Sequence, residues 1–377
     1  MSRGVQGWQR SWARVIGMAL CWLGSAVFAQ DIVLGQSVPL SGPEAEVGRD
    51  LRDGALAVFS KVNASGSLGT RKIQLLTLDN GNDRARALDT TRQLIEVKHA
   101  VALFGYHSTN MIVDQLPSLK QNNMALFAPF TGSPGVRSHP NVFSARASFK
   151  DEVEKIVAHQ KSIGAVKAVI IHYDDAPGRD NAEVAASAFD AGMKPRTLAV
   201  KRHAKLDAAA FEPVFKDPPQ FALVVTHFTV VGDLLEAAAA KGVPLRVAAI
   251  SSVNPDKLVQ SYGAVAQGTI VSQVVPPPRG ATLTINPAVK DCAALLQAFN
   301  GAKLNYTSLE SCLAAKALVR VIQKMAPGPV TRTSLLKGLE DAGRIDLDGY
   351  ALNFNHTNSG SSYVDLTILA RGNQFAR

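Results

Sequence analysis

This sequence predicts an α/β fold of parallel sheets shared between two lobes, and three observations carry that prediction. Short apolar runs rich in β-branched residues alternate with amphipathic stretches. Such alternation builds parallel sheets covered by helices on both faces. The series breaks near Pro129 and a fresh one starts at residue 150, as if one sheet ended and a second began. At 377 residues the chain also exceeds what one small core organises.

The first residues stand apart from the fold. Arg3, Arg10 and Arg14, with no acid among them, precede the apolar run 15–24, and SAVFA then places Val27 and Ala29 where a signal peptidase reads. The pattern predicts an export signal over residues 1–29, cut after Ala29, and a mature protein in the periplasm. A lipoprotein reading on Cys21 suffers from the bulky Leu20 before it. A membrane span needs about 20 apolar residues, and no later run supplies them.

Strands are expected at 32–35, 73–78, 101–105, 125–129, 168–173, 222–227, 246–251 and 269–275. The first helix carries Val47, Leu51, Ala55, Val58, Phe59 and Val62 on one stripe. Further helices are expected at 83–97, 109–121, 150–163, 179–191, 229–241, 288–300 and 307–325. Residues 142–148 read as an extended crossover and VVPPPRG (274–280) as a stiff connection; short strands in YALNFN and YVDLTILA close the chain.

Several functions find no support. Losing Arg3, Arg10 and Arg14 takes the formal charge from +9 to +6, and no basic stripe interleaved with aromatics marks a nucleic-acid surface. GxSxG, HExxH, the Walker loop and GxGxxG are all missing, and the histidines are scattered. No catalytic residue, metal site or cofactor is therefore expected, and His172-Tyr-Asp-Asp reads as a helix cap or solvated turn. Cys292 and Cys312 lie on successive predicted helices. A disulfide suits an oxidising compartment, and two separate buried thiols fit the sequence equally.

What recurs is polar loops at the carboxyl ends of strands, where open α/β sheets bind ligands. They are Ser41-Gly42-Pro43, Tyr106-His107-Ser108-Thr109, Phe130-Thr131-Gly132-Ser133, Asp174 to Gly178, and His227 with Ser251-Ser252. Hydroxyls and free N–H groups at helix starts suit a carboxylate. Each could serve merely as a helix cap, but their convergence points to a binding site.

The stretches DIVLGQSVPLSGPEAEVGRDLRDGALA, LDNGNDRARALDTTRQLI and FGYHSTNMIVDQLPSLKQNNMALFAPFTGS, followed by VFSARASFKDE, IHYDDAPGRD, QFALVVTHFTVVGDLLEAAAAKGV and SLESCLAAKALV, resemble the branched-chain-amino-acid type of periplasmic binding protein. These are solute receptors of ABC importers with the type I periplasmic-binding-protein fold. The resemblance implies two Rossmann-like lobes joined by three hinge crossovers, near 144–149, 271–278 and 344–350. One lobe would take 30–146 plus 276–346, the other 147–275 plus 347–377. It also implies hinge closure over a small-molecule ligand, a partner permease in the inner membrane, and a monomer that binds no nucleic acid.

In that family the ligand carboxylate meets hydroxyl and backbone groups that fall here at Thr109, beside Ser108, and at Phe130, Thr131 and Gly132. The remaining pocket positions depart from the family's. An aromatic wall falls at Val47, two tyrosines fall at Pro177 and His227, and the ammonium-binding glutamate falls at Ser251. A buried ammonium without a carboxylate partner is costly. With Ser41, His107 and His227 completing the expected site, an organic acid is favoured over a branched-chain amino acid. A sensing subunit for a kinase or chemoreceptor and a cleft hydrolase are the alternative functions.

Overall fold

The computed structural model of the chain describes residues 31–190 and 192–370, with the backbone of 375–376. The expected export signal, its cut after Ala29 and Cys21 lie outside the described residues.

Chain order begins with β1 (Ile32–Val38), α1 (Ala45–Ser65), β2 (Ile73–Asp79), α2 (Arg84–Arg92) extended by a π-helical turn, β3 (Ala102–Phe104), α3 (Thr109–Gln121), β4 (Ala125–Phe127), α4 (Pro134–Arg137) and β5 (Val142–Phe143). Their five strands form one parallel sheet in the order β2-β1-β3-β4-β5. The second series is α5 (Phe149–Ser162), β6 (Ala168–Tyr173), α6 (Ala176–Ser187), β7 (Arg196–Val200), α7 (Glu212–Lys216), β8 (Phe221–Val224), α8 (Phe228–Ala240), β9 (Val247–Ala249), α9 (Pro255–Tyr262) and β10 (Ile270–Gln273). The chain then gives α10 (Thr282–Ile285), α11 (Pro287–Asn300), α12 (Tyr306–Met325), α13 (Arg332–Glu340), β11 (Arg344–Asp346), β12 (Ala351–Asn353), β13 (Asp365–Leu369) and β14 (Phe375–Ala376). The second sheet runs β14-β13-β10-β9-β8-β6-β7, with β13 and β14 antiparallel at one edge.

The buried faces explain why these residues form these layers. Val58 and Phe59 of α1 pack with Leu309, Leu313 and Ile322 of α12 over Leu34, Phe104 and Phe127 of the first sheet. Gly54 lets α1 and α12 approach closely: a Cβ there would lie 2.3 Å from the Ser308 carbonyl oxygen. Gly66 then ends α1 in the left-handed conformation at φ 64°. The Cys292–Cys312 disulfide ties α11 to α12 in the same layer. The strand over 196–200 escaped the sequence reading because it is the sheet edge, half exposed in alternation, and lacks a continuous apolar run.

The chain crosses between the sheets three times, and the crossings lie side by side. Ser144 on the first bonds through its backbone to Asn358 and Gly360, a few residues before the third, and Tyr350 Oη donates to the Val274 carbonyl oxygen on the second. The third crossing corrects the expected 344–350. Leu347, Tyr350, Leu352 and Phe354 are buried in the first core and Tyr363 packs against it, so residues 347–363 stay with the first sheet and the chain leaves after Tyr363. The apolar side chains of this late hairpin decide the matter.

Beneath the crossings lies a buried ionic cluster. Arg146, 1% exposed, faces Glu152 of α5 at 3.7 Å and Glu310 of α12 at 3.6 Å. Glu152 accepts hydrogen bonds from the Ser251 amide, the Ser251 hydroxyl and the Ser272 hydroxyl. Among the described residues no helix is long and apolar enough to cross a membrane. Among them, too, no group of three or more His, Cys, Asp or Glu side chains is placed to hold a metal.

Candidate functional site

The carboxyl ends of both sheets face one another across a cavity of about 520 Å³. From the first sheet come the loops after β1, β2, β3 and β4, and from the second those after β6, β7, β8 and β9. The walls touch: His227 Nε2 lies 3.0 Å from Glu44 Oε1, Ser133 Oγ donates to Asn181 Oδ1 at 2.9 Å, and Lys257 pairs with Glu46. A shallow depression of about 570 Å³ at the amino end of the second sheet, near Gly164 and Arg246, offers no helix start to a ligand.

Helix starts at the cavity differ from those elsewhere. Seven of the described helices of eight residues or more carry a side-chain cap: Asp83, Ser148, Asp175, Asn254, Asn286, Asn305 and Thr331 serve α2, α5, α6, α9, α11, α12 and α13. Three lack one, α1, α3 and α8, and their N-cap residues Glu44, Ser108 and His227 all line the cavity. An uncapped start leaves amide N–H groups and the positive end of the helix dipole available to an anion. Ser108, at φ 74°, turns its hydroxyl to Asn110 Oδ1 rather than to the helix amides. Asp175, by contrast, caps α6 by accepting from the Gly178 amide at 2.8 Å, the helix-cap role expected for the HYDD stretch.

Thr109, the first residue of α3, shares a 2.7 Å hydrogen bond with the Thr131 hydroxyl. Thr131 also accepts from the Ser133 amide. When Thr131 donates to Thr109, the Thr109 proton is free to point at a ligand oxygen. His107 completes this wall. Burial lowers its pKa, and the nearby charges of His227 and Arg146 lower it further against the opposing pull of Glu44, so it is neutral at pH 7.

Both acids of the lining are already engaged. Burial would raise the Glu44 pKa, but the His227 hydrogen bond and the charges of His227, His107 and Lys257 outweigh it and hold it at about 2. Asp233 accepts from the Leu206 amide and the Tyr262 hydroxyl. Five rings, Phe130, Phe149, Tyr173, Phe228 and Tyr262, share the wall with neutral polar side chains such as Asn82, Asn181 and Thr226. The guanidinium of Arg146 lies 4.7 Å from the centre of the Phe130 ring.

Of the expected site residues, the structure brings His107, Ser108, Thr109, Phe130, Thr131 and His227 into the lining. Five others lie elsewhere. Ser41 donates its hydroxyl to Asp79 at 2.7 Å. Val47 is buried behind Phe130 with Val38 and Leu51. Gly132 supports the wall from outside, its carbonyl accepting from the Phe149 amide, and a Cβ there would meet Phe149 at 2.6 Å. Pro177 sits in the first turn of α6, away from the lining. Ser251 is tied down by Arg146 and Glu152. Glu44, Arg202, Lys205 and Asp233 were missed; the basic run KRHAK was a signal for two of them, unread because the strand before it was unread.

Two α/β sheets that meet across a cleft at their carboxyl ends, joined by three adjacent crossings, define a two-lobed ligand-binding protein. The chain belongs to the periplasmic binding protein family, whose model matches residues 31–365. Solved structures share its type I fold. A possible leucine/isoleucine/valine-binding protein from Rhodopirellula baltica SH 1 superposes with a TM-score of 0.85 at 23% identity, covering 94% of this chain and 98% of that one. An extracellular ligand-binding receptor from Verminephrobacter eiseniae gives 0.83 at 24% identity, covering 92% and 100%. In sequence, a Leu/Ile/Val-binding protein homolog 3 from Brucella melitensis is 25% identical over 187 residues, 48% of either chain. The chain thus spans about half the length of the curated relatives it matches.

Proposed function

We propose that the protein is the periplasmic solute receptor of an ABC importer, and that it captures a small organic acid with an apolar or ring-bearing body and no ammonium group. The protein binds, closes and delivers its ligand unchanged to an inner-membrane permease, as a monomer and without catalysis. One observation carries the ligand class: the start of α3, with Thr109, is open to a carboxylate while both acids of the cavity, Glu44 and Asp233, are already engaged. A zwitterionic amino acid would bury its ammonium against no free carboxylate, which is costly. The relatives named as leucine, isoleucine or valine binders support the receptor role. The ring-rich wall and the Ser251 position, held by Arg146, favour a different cargo.

Isothermal titration calorimetry on the mature protein tests this, with leucine, isoleucine and valine against hexanoate and benzoate. Binding of an acid and of none of the three amino acids is expected; binding of an amino acid alone overturns the ligand class.

A further inference from the structure

Resting on the organic-acid reading, the geometry points to a second anionic subsite in the same cleft, centred on Lys205, so that the preferred ligand carries an acidic group at each end. The loop after β7 reads Lys201-Arg202-His203-Ala204-Lys205-Leu206, and its residues 202–205 all line the cavity. This loop is pinned on both sides of Lys205. Arg202 Nε donates to Asp175 Oδ2 at 2.7 Å, and its guanidinium lies over the Tyr173 ring at 3.8 Å. On the far side the Leu206 amide donates to Asp233 Oδ2, and the Leu206 side chain packs against the second core.

Within this frame the charges are unequal. Arg202 is matched by Asp175. Lys205 has no acidic partner among the described residues, although two acids lie close in sequence or space. Asp233 is used by Leu206 and Tyr262, and Asp207 accepts from the Ala209 and Ala210 amides. A cavity-lining ammonium with its neighbouring acids committed leaves a positive charge for the ligand to match.

The two anionic positions stand on opposite walls, Thr109 after β3 and Lys205 after β7. A ligand with one acid group engages one wall. A ligand with two engages both only when the cleft is shut, and that difference in affinity between open and shut forms drives closure.

The test is calorimetry with matched pairs, hexanoate against adipate and benzoate against terephthalate, on wild type, Lys205→Met and Lys205→Arg. For at least one pair the diacid is expected to bind about fivefold more tightly than the monoacid. Lys205→Met should remove the diacid's advantage, so that the two members of each pair bind alike, while Lys205→Arg keeps the preference. Monoacid binding with no diacid preference overturns the second subsite alone, as does a Lys205→Met variant that weakens both members equally. Failure of every acid to bind wild type overturns the organic-acid reading together with the subsite.

Discussion

Replacing Glu310 by glutamine changes how stability depends on pH, and both the sign and the size follow from the cluster under the crossings. Glu310 is 11% exposed and lies 3.6 Å from Arg146. Burial pushes its carboxyl up, Arg146 pulls it back, and the Glu152 charge adds to the rise, leaving it at about 7 against an ordinary 4.5. Between those values the folded chain holds a proton that the unfolded chain has released. Stability from this group is therefore present below pH 4.5 and falls as pH rises to about 7. At about 1.4 kcal/mol per pH unit, the interval contributes about 3 kcal/mol. Glutamine cannot ionise, so this loss disappears in the variant. Urea unfolding of the ligand-free protein at about pH 5 and about pH 8 measures it. The variant should gain about 2–3 kcal/mol on wild type between the two. Parallel pH profiles, or a gain in the opposite direction, would refute the argument that Glu310 is a carboxyl held protonated by burial beside Glu152.

Other outcomes follow from the same geometry. Thr109→Val removes the hydroxyl at the open start of α3 and should weaken acid binding about tenfold in calorimetry; because it also strips the buried Thr131 hydroxyl of its partner, the melting temperature without ligand should fall by about 2 °C. Glu44→Gln breaks the cross-cleft pair with His227; small-angle scattering should show a more open ligand-free ensemble than wild type, and an identical profile would argue against Glu44 as a latch. Reduction of Cys292–Cys312, which spans a sequence separation of 20, should cost about 3 kcal/mol, read as a urea midpoint lowered by dithiothreitol and unaffected by it in a Cys292→Ser, Cys312→Ser double variant.

Much of the fold was legible because parallel strands buried on both faces write themselves as apolar runs. The run at 168–173 is a strand buried throughout, as are the first three residues of the run at 125–129, and the helix expected at 109–121 has those bounds. Elements with only one buried stripe, such as the edge strand 196–200 and helix 332–340, left weaker marks. The site was legible where chemistry is local: hydroxyls at a helix start announce themselves at Thr109 and Thr131. It was illegible where a residue's role depends on a distant partner. Glu44 stood in the Ser-Gly-Pro-Glu turn, but only His227 on the other wall makes it part of the cleft. Ser251 had the expected position in sequence, and Arg146 and Glu152 draw its polar groups into the cluster behind Phe130.

The late return of the chain to its first sheet also sets a timetable for assembly. Strands β1 to β5 are made first, but the α11 and α12 side chains that cover them belong to residues 287–325, and Leu352 and Phe354 follow later still. The second sheet draws β6 to β10 from one unbroken stretch and takes from later in the chain only the two strands at one edge, β13 and β14. A chain emerging amino end first therefore holds its earliest strands half-bare until nearly all of it has been delivered, while the later half can already close on itself. Limited proteolysis of chains truncated after residue 275 would register this as protection over 168–249 while 32–127 is still cut.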